Sequence, residues 1–313
     1  MDYRLGIDLG GTNIAAGIVF GDGRLAAKAS VPCHPERGAE SVMADMAAAS
    51  RLAAENAGIS LSDVVGGGVG IPGVVDRGRG TVLLAANLGW NDVDVRSALT
   101  PLLGFFPAIG NDADCAALGE CRAGSGSRFG SMLLITIGTG IGGGITSGGR
   151  LSGGNGCGEI GHMVIELGGE PCACGRRGCF ERYASASALA AQTRAAAAIH
   201  PDSKIWQVCG GRAEEICGKT AFDAAELGDE TAREVVSRYT DYLAEGTANL
   251  INILRPEAVV FGGGVSRQGE ALFAPLRERL VPLVYAADRL GMPEICAAAL
   301  GNDAGIIGAA LLD

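Results

Sequence analysis

Apolar and polar positions in the first quarter of the chain follow a pattern that predicts a sheet with a helix packed on it. Residues 4–9, 13–20 and 24–31 read as strands joined by glycine-containing turns. A long helix is predicted over residues 39–57, and a buried strand over residues 64–71. Antiparallel hairpins at one sheet edge, followed by helix-connected strands, indicate an α/β arrangement.

The hairpin pattern recurs in the middle of the chain. Residues 132–137 form an apolar run, a glycine–threonine turn follows at 138–140, and residues 142–146 return as a second strand. Two matching hairpins, one early in each half, predict duplicated domains that face each other across a nucleotide cleft.

The remaining periodic segments predict helices that face a core. Spacings of three and four residues between apolar positions are typical of such amphipathic helices. Residues 201–220 contain no motif that we recognise, and we expect a peripheral excursion there. The predicted segments are a short strand at 105–109, helices at 113–122, 180–199 and 229–254, a strand at 258–261 followed by a helix from about residue 266, and a last helix at 303–312.

Composition excludes several classes of function. The chain has 313 residues, of which 48% are hydrophobic and 19% charged, so it can bury a substantial core. Its net charge of −10 disfavours nucleic acid or an anionic membrane as the main partner, since both need a basic face. No apolar run is long enough to span a bilayer, and the N-terminus has no signal-peptide pattern. Together with ten cysteines that read as reduced thiols, these features predict a cytoplasmic protein.

One histidine and three cysteines have the spacing of a metal site. His162 precedes Cys172, Cys174 and Cys179 within one glycine-containing loop, and three thiolates with one imidazole form a usual ligand set for structural zinc. The alternatives are free thiols in a loop or a disulfide between Cys174 and Cys179. Soft ligands at short spacing favour zinc. A metal that folds this loop also fixes Glu159 and Glu181, which flank it.

Three glycine-rich turns are candidates for binding phosphate oxygens through bare backbone N–H groups. Asp8, at the first turn, could hold Mg²⁺ through water. An ordinary tight hairpin is the simpler explanation of any single turn, but the recurrence favours phosphate binding. The candidates are Asp8, Gly10, Gly11 and Thr12 in the first turn, Gly138, Thr139 and Gly140 in the second, and Gly262, Gly263 and Gly264 in the third.

The order of the motifs resembles that of the ROK family of sugar kinases and repressors, and most closely its bacterial ATP-dependent glucokinases. The motifs are D-L-G-G-T-N, N-D-A-D, G-T-G-I-G-G-G, E-I-G-H, C-x-C-G-x-x-G-C-x-E and G-G-G-V-S. The resemblance implies a two-domain, actin-like (ribonuclease H-like) α/β fold with a cleft between the domains. The first domain would comprise residues 1–112 with about 302–313, and the second about 113–301 with the zinc loop 162–179. It also implies ATP, Mg²⁺ and structural Zn²⁺, and a homodimer or higher homo-oligomer.

The resemblance also assigns roles to single residues. It implies that Asp112 is the catalytic base, which takes the proton of a hexose 6-hydroxyl as the γ-phosphoryl group transfers. It implies that His162 binds zinc through one ring nitrogen and a sugar hydroxyl through the other. Without the family pattern, Asn111 or Asp112 would be interpreted as a helix cap, and the two roles can coexist. The implied sugar-binding residues are Asn111, Asp112, Glu159, His162 and Glu181.

Other functions within the family stay open at this point. A repressor needs a helix-turn-helix segment before the first strand, and only three residues precede that strand here, so we expect a kinase. A non-catalytic sugar-binding protein is disfavoured because Asp112 and both hairpin turns are intact. Glucose is the expected substrate. N-acetylglucosamine, N-acetylmannosamine, mannose and fructose are alternatives, and polyphosphate is an alternative to ATP as donor.

Overall fold

The computed structural model describes residues 2–312, which contain thirteen β-strands and eleven α-helices in a mixed α/β arrangement. The strands are β1 Tyr3–Leu9, β2 Asn13–Phe20, β3 Leu25–Pro32, β4 Val64–Ile71, β5 Val74–Asp76, β6 Thr81–Ala85, β7 Trp90–Asp94, β8 Ala108–Asn111, β9 Ser131–Ile137, β10 Ile141–Ser147, β11 Arg150–Leu151, β12 Ala258–Gly263 and β13 Glu294–Ala297.

The α-helices lie between and after these strands, and the longest of them is α8. They are α1 Ala39–Asn56, α2 Val95–Leu103, α3 Asp112–Ala123, α4 Glu181–Ala184, α5 Ala186–Ile199, α6 Ile205–Val208, α7 Thr220–Glu226, α8 Glu230–Leu254, α9 Glu270–Leu283, α10 Ala287–Leu290 and α11 Ala304–Ala310. Within the described residues, no helix combines the length and apolar character that crossing a membrane requires.

Two five-stranded sheets repeat one topology. The first has the order β3-β2-β1-β4-β8 and the second the order β11-β10-β9-β12-β13. In the first sheet β1 pairs antiparallel with β2 and parallel with β4, because β2 returns through a tight turn whereas β4 follows helix α1. The repeat confirms the prediction of matching hairpins in the two halves. The small sheet β5-β6-β7 was not predicted, since its strands are only three to five residues long.

The chain divides into two compact units. Unit 1 comprises residues 1–134, 144–158 and 298–313, and unit 2 comprises residues 135–143 and 159–297. The last helix, α11, therefore belongs with the N-terminal part of the chain. Helix α3 belongs to unit 1 as well, so the compact unit extends beyond residue 112, where the sequence analysis ends the first domain. The division into functional domains stays a prediction.

Helix α11 packs directly on the backbone of β1 and α3, and glycine makes this approach possible. A Cβ built on Gly6 would lie 1.9 Å from the carbonyl oxygen of Ile306, and one built on Gly308 would lie 1.6 Å from that of Cys115. No side chain fits at either position, so glycine is required there. The packing fixes the start of α3 beside the end of β1 within unit 1.

Two predicted helices differ from the observed ones. The segment 180–199 is divided into α4 and α5 because the Ser185 hydroxyl accepts a hydrogen bond from the N–H of Ala188, 3.1 Å away, and so caps a new helix. The helix expected from about residue 266 begins as a short 3₁₀ turn, Val265–Gln268, and α9 follows only after Gly269. The segment 201–220 contains α6 and the 3₁₀ turn Ala213–Glu215, and it ends at the first residue of α7.

Candidate functional site

The first candidate group lies in unit 1, where β8 leads into α3. Asn111 caps α3, because its Oδ1 accepts hydrogen bonds from the N–H groups of Ala113 at 2.8 Å and Asp114 at 3.2 Å. Its amide nitrogen donates to the carbonyl oxygen of Gly73 at 3.0 Å. Asp112 is the first residue of the helix, and its Oδ1 accepts from the Ala113 N–H at 2.9 Å. Of the two residues considered as caps, Asn111 therefore accepts more of the hydrogen bonds from the first N–H groups of α3.

Two carboxyl groups of unit 1 have raised pKa values. Burial, and to a smaller extent the charge of Asp112, raise the pKa of Asp8 to about 7. Burial also raises the pKa of Asp112 above its usual value, against hydrogen bonds that lower it. A cation bound beside a buried carboxyl group would stabilise its ionised form and so lower its raised pKa. The surroundings of Asp8 therefore fit a magnesium ion, held directly or through water.

The second glycine turn and the start of α5 are joined by hydrogen bonds in unit 2. The N–H of Gly138 donates to the carbonyl oxygen of Gly140 at 3.0 Å, which closes the turn between β9 and β10. The N–H of Ala186, the first residue of α5, donates to the carbonyl oxygen of Gly138 at 2.9 Å. The turn is thus held against the junction of α4 and α5, close to Glu181.

The third glycine cluster ends β12. A Cβ on Gly263 would lie 2.2 Å from the carbonyl oxygen of Ile137, so glycine at this position serves the close packing of β12 on β9. Gly262 is buried, whereas Gly264 is exposed.

In each of the three glycine turns, one glycine is required neither by its backbone conformation nor by close packing against the rest of the protein. Gly11, Gly138 and Gly264 have φ values outside the left-handed region. Apart from the two chain neighbours, no atom of the described residues lies within 4 Å of a Cβ built on Gly138 or Gly264, and at Gly11 the nearest is Asn87 Nδ2 at 3.8 Å. A side chain at these three positions would project into space that a ligand can use.

The predicted metal ligands lie together in unit 2. The ligand atoms of His162, Cys172, Cys174 and Cys179 all lie within 4.8 Å of one another. Two distances of 3.6 Å, from Cys172 Sγ to His162 Nδ1 and from Cys174 Sγ to Cys179 Sγ, resemble the edges of a zinc tetrahedron. Bonds of about 2.3 Å to sulfur and about 2.0 Å to nitrogen place neighbouring ligands about 3.5–3.8 Å apart.

The loop around this cluster is folded by its backbone. The N–H of Cys172 donates to the carbonyl oxygen of Arg176 at 2.9 Å, and the N–H of Gly175 donates to that of Cys172 at 3.0 Å. The N–H of Arg176 donates to the thiol sulfur of Cys174 and is the main cause of the lowered pKa of that group. All ten cysteines are free thiols, so the alternative of a disulfide between Cys174 and Cys179 is not observed. The four side chains fit a zinc ion.

Glu181 lies against the metal cluster. Its Oε1 is 3.2 Å from Cys172 Sγ and 3.6 Å from His162 Nδ1. Glu181 opens α4 immediately after Phe180, whose fully buried ring packs against Gly246 of α8. The Tyr239 hydroxyl donates to the carbonyl oxygen of Ala184 at 2.8 Å and fixes the other end of α4. The carboxyl group therefore sits on a short helix that α8 holds in place.

Glu159 and His162 are placed by the glycine between them. A Cβ on Gly161 would lie 2.2 Å from the carbonyl oxygen of Ile141, so the 3₁₀ turn Ile160–His162 packs directly on the start of β10. Glu159 precedes this turn and is exposed, and His162 is half-buried. Glu159 and His162 were predicted from the sequence, whereas the role of Gly161 depends on its packing against β10, which the local sequence does not record.

The predicted site residues are divided between the two units. Asp8, Asn111 and Asp112 belong to unit 1 together with the turn at Gly10, Gly11 and Thr12. The metal cluster, the two remaining glycine turns, Glu159 and Glu181 belong to unit 2.

Glu120, which the sequence patterns did not indicate, is fully buried in α3. Its carboxyl oxygens accept hydrogen bonds from the N–H groups of Ser125, Ala299 and Leu300.

Known proteins resemble this chain over nearly its whole length. The family model described as the ROK family matches residues 4–313. The glucokinase of Halalkalibacterium halodurans is 38% identical over 312 residues, which cover 98% of this chain and 93% of that protein. The glucokinase of Thermotoga maritima is 38% identical over 309 residues, covering 98% and 95%.

A solved structure extends the comparison to the fold. A ROK family glucokinase from Streptomyces griseus, crystallised with glucose and AMPPNP, superposes with a TM-score of 0.84 at 34% identity and covers 98% of each chain. The chain accordingly has the two-domain, actin-like ATPase fold. The family model and the two relatives each match nearly the whole chain, and the chain belongs to the ROK family.

Proposed function

We propose that this protein is an ATP-dependent glucokinase, which transfers the γ-phosphoryl group of ATP to the 6-hydroxyl of glucose and releases glucose 6-phosphate and ADP. The observation that carries the proposal is the nearly full-length match to a glucokinase that was crystallised with both glucose and AMPPNP. The glucokinases of two further bacteria, each 38% identical, support the same substrate.

Asp112 is the proposed base. Phosphoryl transfer depends mainly on alignment and charge neutralisation, and the acceptor hydroxyl must also lose its proton. A carboxylate is a weak base at its ordinary pKa, and burial raises the pKa of Asp112 towards the range in which it accepts a proton more readily. Asn111 holds the start of α3 and so orients Asp112.

The three glycine turns are the proposed phosphate-binding elements. Gly11, Gly138 and Gly264 leave space into which phosphate oxygens can approach the backbone N–H groups. Neighbouring residues of the same turns are proposed to contact phosphate oxygens beside them: Gly10 and Thr12 in the first turn, Thr139 in the second and Gly262 in the third. Mg²⁺ near Asp8 would neutralise charge on the transferring phosphoryl group.

The metal cluster has a structural role in this proposal. Zinc bound by His162, Cys172, Cys174 and Cys179 has four protein ligands, and it would supply folding free energy to the loop rather than an open coordination position. His162 Nδ1 faces Cys172, which leaves Nε2 to hydrogen-bond a sugar hydroxyl. Glu159, Glu181 and Asn111 are the proposed acceptors and donors for the other hydroxyl groups.

The proposal is tested by ADP release from the purified protein with Mg-ATP across a panel of sugars. The panel contains glucose, mannose, fructose, N-acetylglucosamine and N-acetylmannosamine, with polyphosphate replacing ATP in a parallel series. Glucose with ATP should give the highest kcat/KM. A higher value for another sugar or for polyphosphate would replace the proposed substrate or donor, and no phosphorylation of any sugar would refute the kinase proposal. Size measurement in solution tests the homo-oligomer that the family resemblance implies.

A further inference from the structure

Gly140 and Glu181 lie closer together than a side chain at residue 140 would permit. Both residues belong to unit 2. A Cβ built on Gly140 would lie 2.5 Å from Glu181 Oε2 and 3.7 Å from Glu181 Cδ. Ordinary non-bonded contacts begin at about 3.5 Å, so a methyl group and the carboxylate cannot occupy these positions together.

The backbone does not explain why residue 140 is a glycine. Its φ lies outside the left-handed region, so an alanine can adopt the same conformation. Among the described residues, and apart from the two chain neighbours, the only atoms within 4 Å of the built Cβ are those of Glu181. The absence of a side chain at Gly140 therefore leaves the space that the Glu181 carboxylate occupies.

The two oxygens of Glu181 face different partners. Oε1 lies at the metal cluster, 3.2 Å from Cys172 Sγ, and Oε2 faces Gly140. The carboxylate thus fills the space between the cluster and the turn 138–140. A methyl group on residue 140 would displace the far end of a flexible side chain and no backbone atom, so the fold should tolerate it while the carboxylate moves.

We infer that Gly140 is a positioning residue for sugar recognition, which acts by leaving room for the carboxylate of Glu181. This inference rests on the proposed function, in which Glu181 binds the sugar. The turn 138–140 then contributes to the binding of both substrates. Gly138, where a Cβ would meet no atom of the described residues within 4 Å beyond its chain neighbours, leaves space for the nucleotide, and Gly140 leaves space for the sugar-binding carboxylate.

The test compares Gly140→Ala with Gly138→Ala, a matched change in the same turn. Glucose binding is measured by calorimetry without nucleotide, and zinc content is measured on the same samples. Gly140→Ala should weaken glucose binding about tenfold, as expected when one hydrogen-bonding group of a buried site is misplaced. Gly138→Ala should bind glucose within about twofold of the wild type and raise the Michaelis constant for ATP. Both variants should retain the zinc content of the wild type.

A double-mutant cycle shows whether the effect passes through Glu181. In a Glu181→Ala background, Gly140→Ala should cause no further loss of glucose affinity, because the displaced carboxylate is already absent. Glucose is soluble enough for titration of such a weakened site.

Unchanged glucose binding by Gly140→Ala, or an equal loss in the Glu181→Ala background, would overturn the inference. Neither result affects the proposed function, which fails separately if the wild-type protein phosphorylates no sugar. If the wild type prefers another sugar of the panel, that sugar replaces glucose in both measurements.

Discussion

Asn111 caps the helix that begins with Asp112. Asn111 Oδ1 accepts hydrogen bonds from the N–H groups of Ala113 and Asp114, at 2.8 and 3.2 Å. The start of α3 is therefore held largely by the amide, although Asp112 also accepts one hydrogen bond from Ala113. Because of this arrangement, a substitution at Asp112 can test chemistry without removing the main cap.

The metal cluster gives a prediction that separates glucose binding from nucleotide binding. Cys174→Ala removes one of four ligands, so the purified variant should contain far less than one zinc per chain and should bind glucose much more weakly. AMPPNP affinity should fall less. Elemental analysis and calorimetry measure these quantities. Cys217→Ala is the control, since Cys217 is an exposed free thiol outside the cluster and its loss should leave zinc content unchanged. A zinc-free wild-type protein with full activity would contradict a structural role for the metal.

Glu120 should be important for stability. Its fully buried carboxylate accepts hydrogen bonds from Leu300 at 2.7 Å, Ser125 at 2.9 Å and Ala299 at 3.1 Å. Glu120→Ala leaves these three N–H groups without their acceptor and should lower the free energy of unfolding by about 3–5 kcal/mol. Urea denaturation measures the change. Glu120→Gln keeps one acceptor oxygen and should cost less than alanine. A loss below about 1 kcal/mol for Glu120→Ala would show that water replaces the carboxylate.

Asp229 gives stability a predictable pH dependence. Burial raises the pKa of its carboxyl group, but hydrogen bonds from the N–H groups of Lys204 and Ala232 and from the Ser203 hydroxyl outweigh that effect, so the pKa is lowered overall. A carboxyl group with a lower pKa in the folded state stabilises the fold above its unfolded pKa of about 3.9, and this contribution disappears as the pH falls through the folded value.

Asp229→Asn should therefore lower the free energy of unfolding by about 1–2 kcal/mol at pH 7. The difference from the wild type should shrink as the pH falls below about 4, since the wild-type carboxyl group then becomes protonated. Urea titrations at several pH values test this. Asp223→Asn, which removes a partly exposed pair with Lys219, should change stability by less than about 0.5 kcal/mol. If the loss of unfolding free energy caused by Asp229→Asn did not vary with pH, the charge of Asp229 would not be what stabilises the fold.

Local sequence patterns predicted the repeated hairpins because β-strands and tight turns leave short-range signals. The run 132–146 illustrates this, since its glycine–threonine turn lies between two apolar segments and β9 and β10 form there. The division of 180–199 at Ser185 was not predicted. The segment is rich in alanine and contains no glycine or proline, so the only signal is a serine that becomes a cap when Ala188 follows it in a new helix.

The candidate site shows the same limit. The spacing of His162, Cys172, Cys174 and Cys179 was sufficient to predict that they lie together, because all four belong to one loop. The contact between Gly140 and Glu181 joins residues far apart in the sequence. It depends on how α4 packs on α8 and how the turn 138–140 bonds to α5, which no local pattern records.

Turnover of Asp112→Asn with Mg-ATP and glucose tests whether Asp112 accepts the proton of the glucose 6-hydroxyl, the step on which the proposed mechanism depends. Asparagine keeps the size of the side chain but cannot take the proton. We expect kcat to fall by roughly two or more orders of magnitude while calorimetry shows glucose and AMPPNP binding within a few-fold of the wild type. A folded Asp112→Asn protein with near-normal kcat would contradict the assignment and leave Asp112 as part of the start of α3.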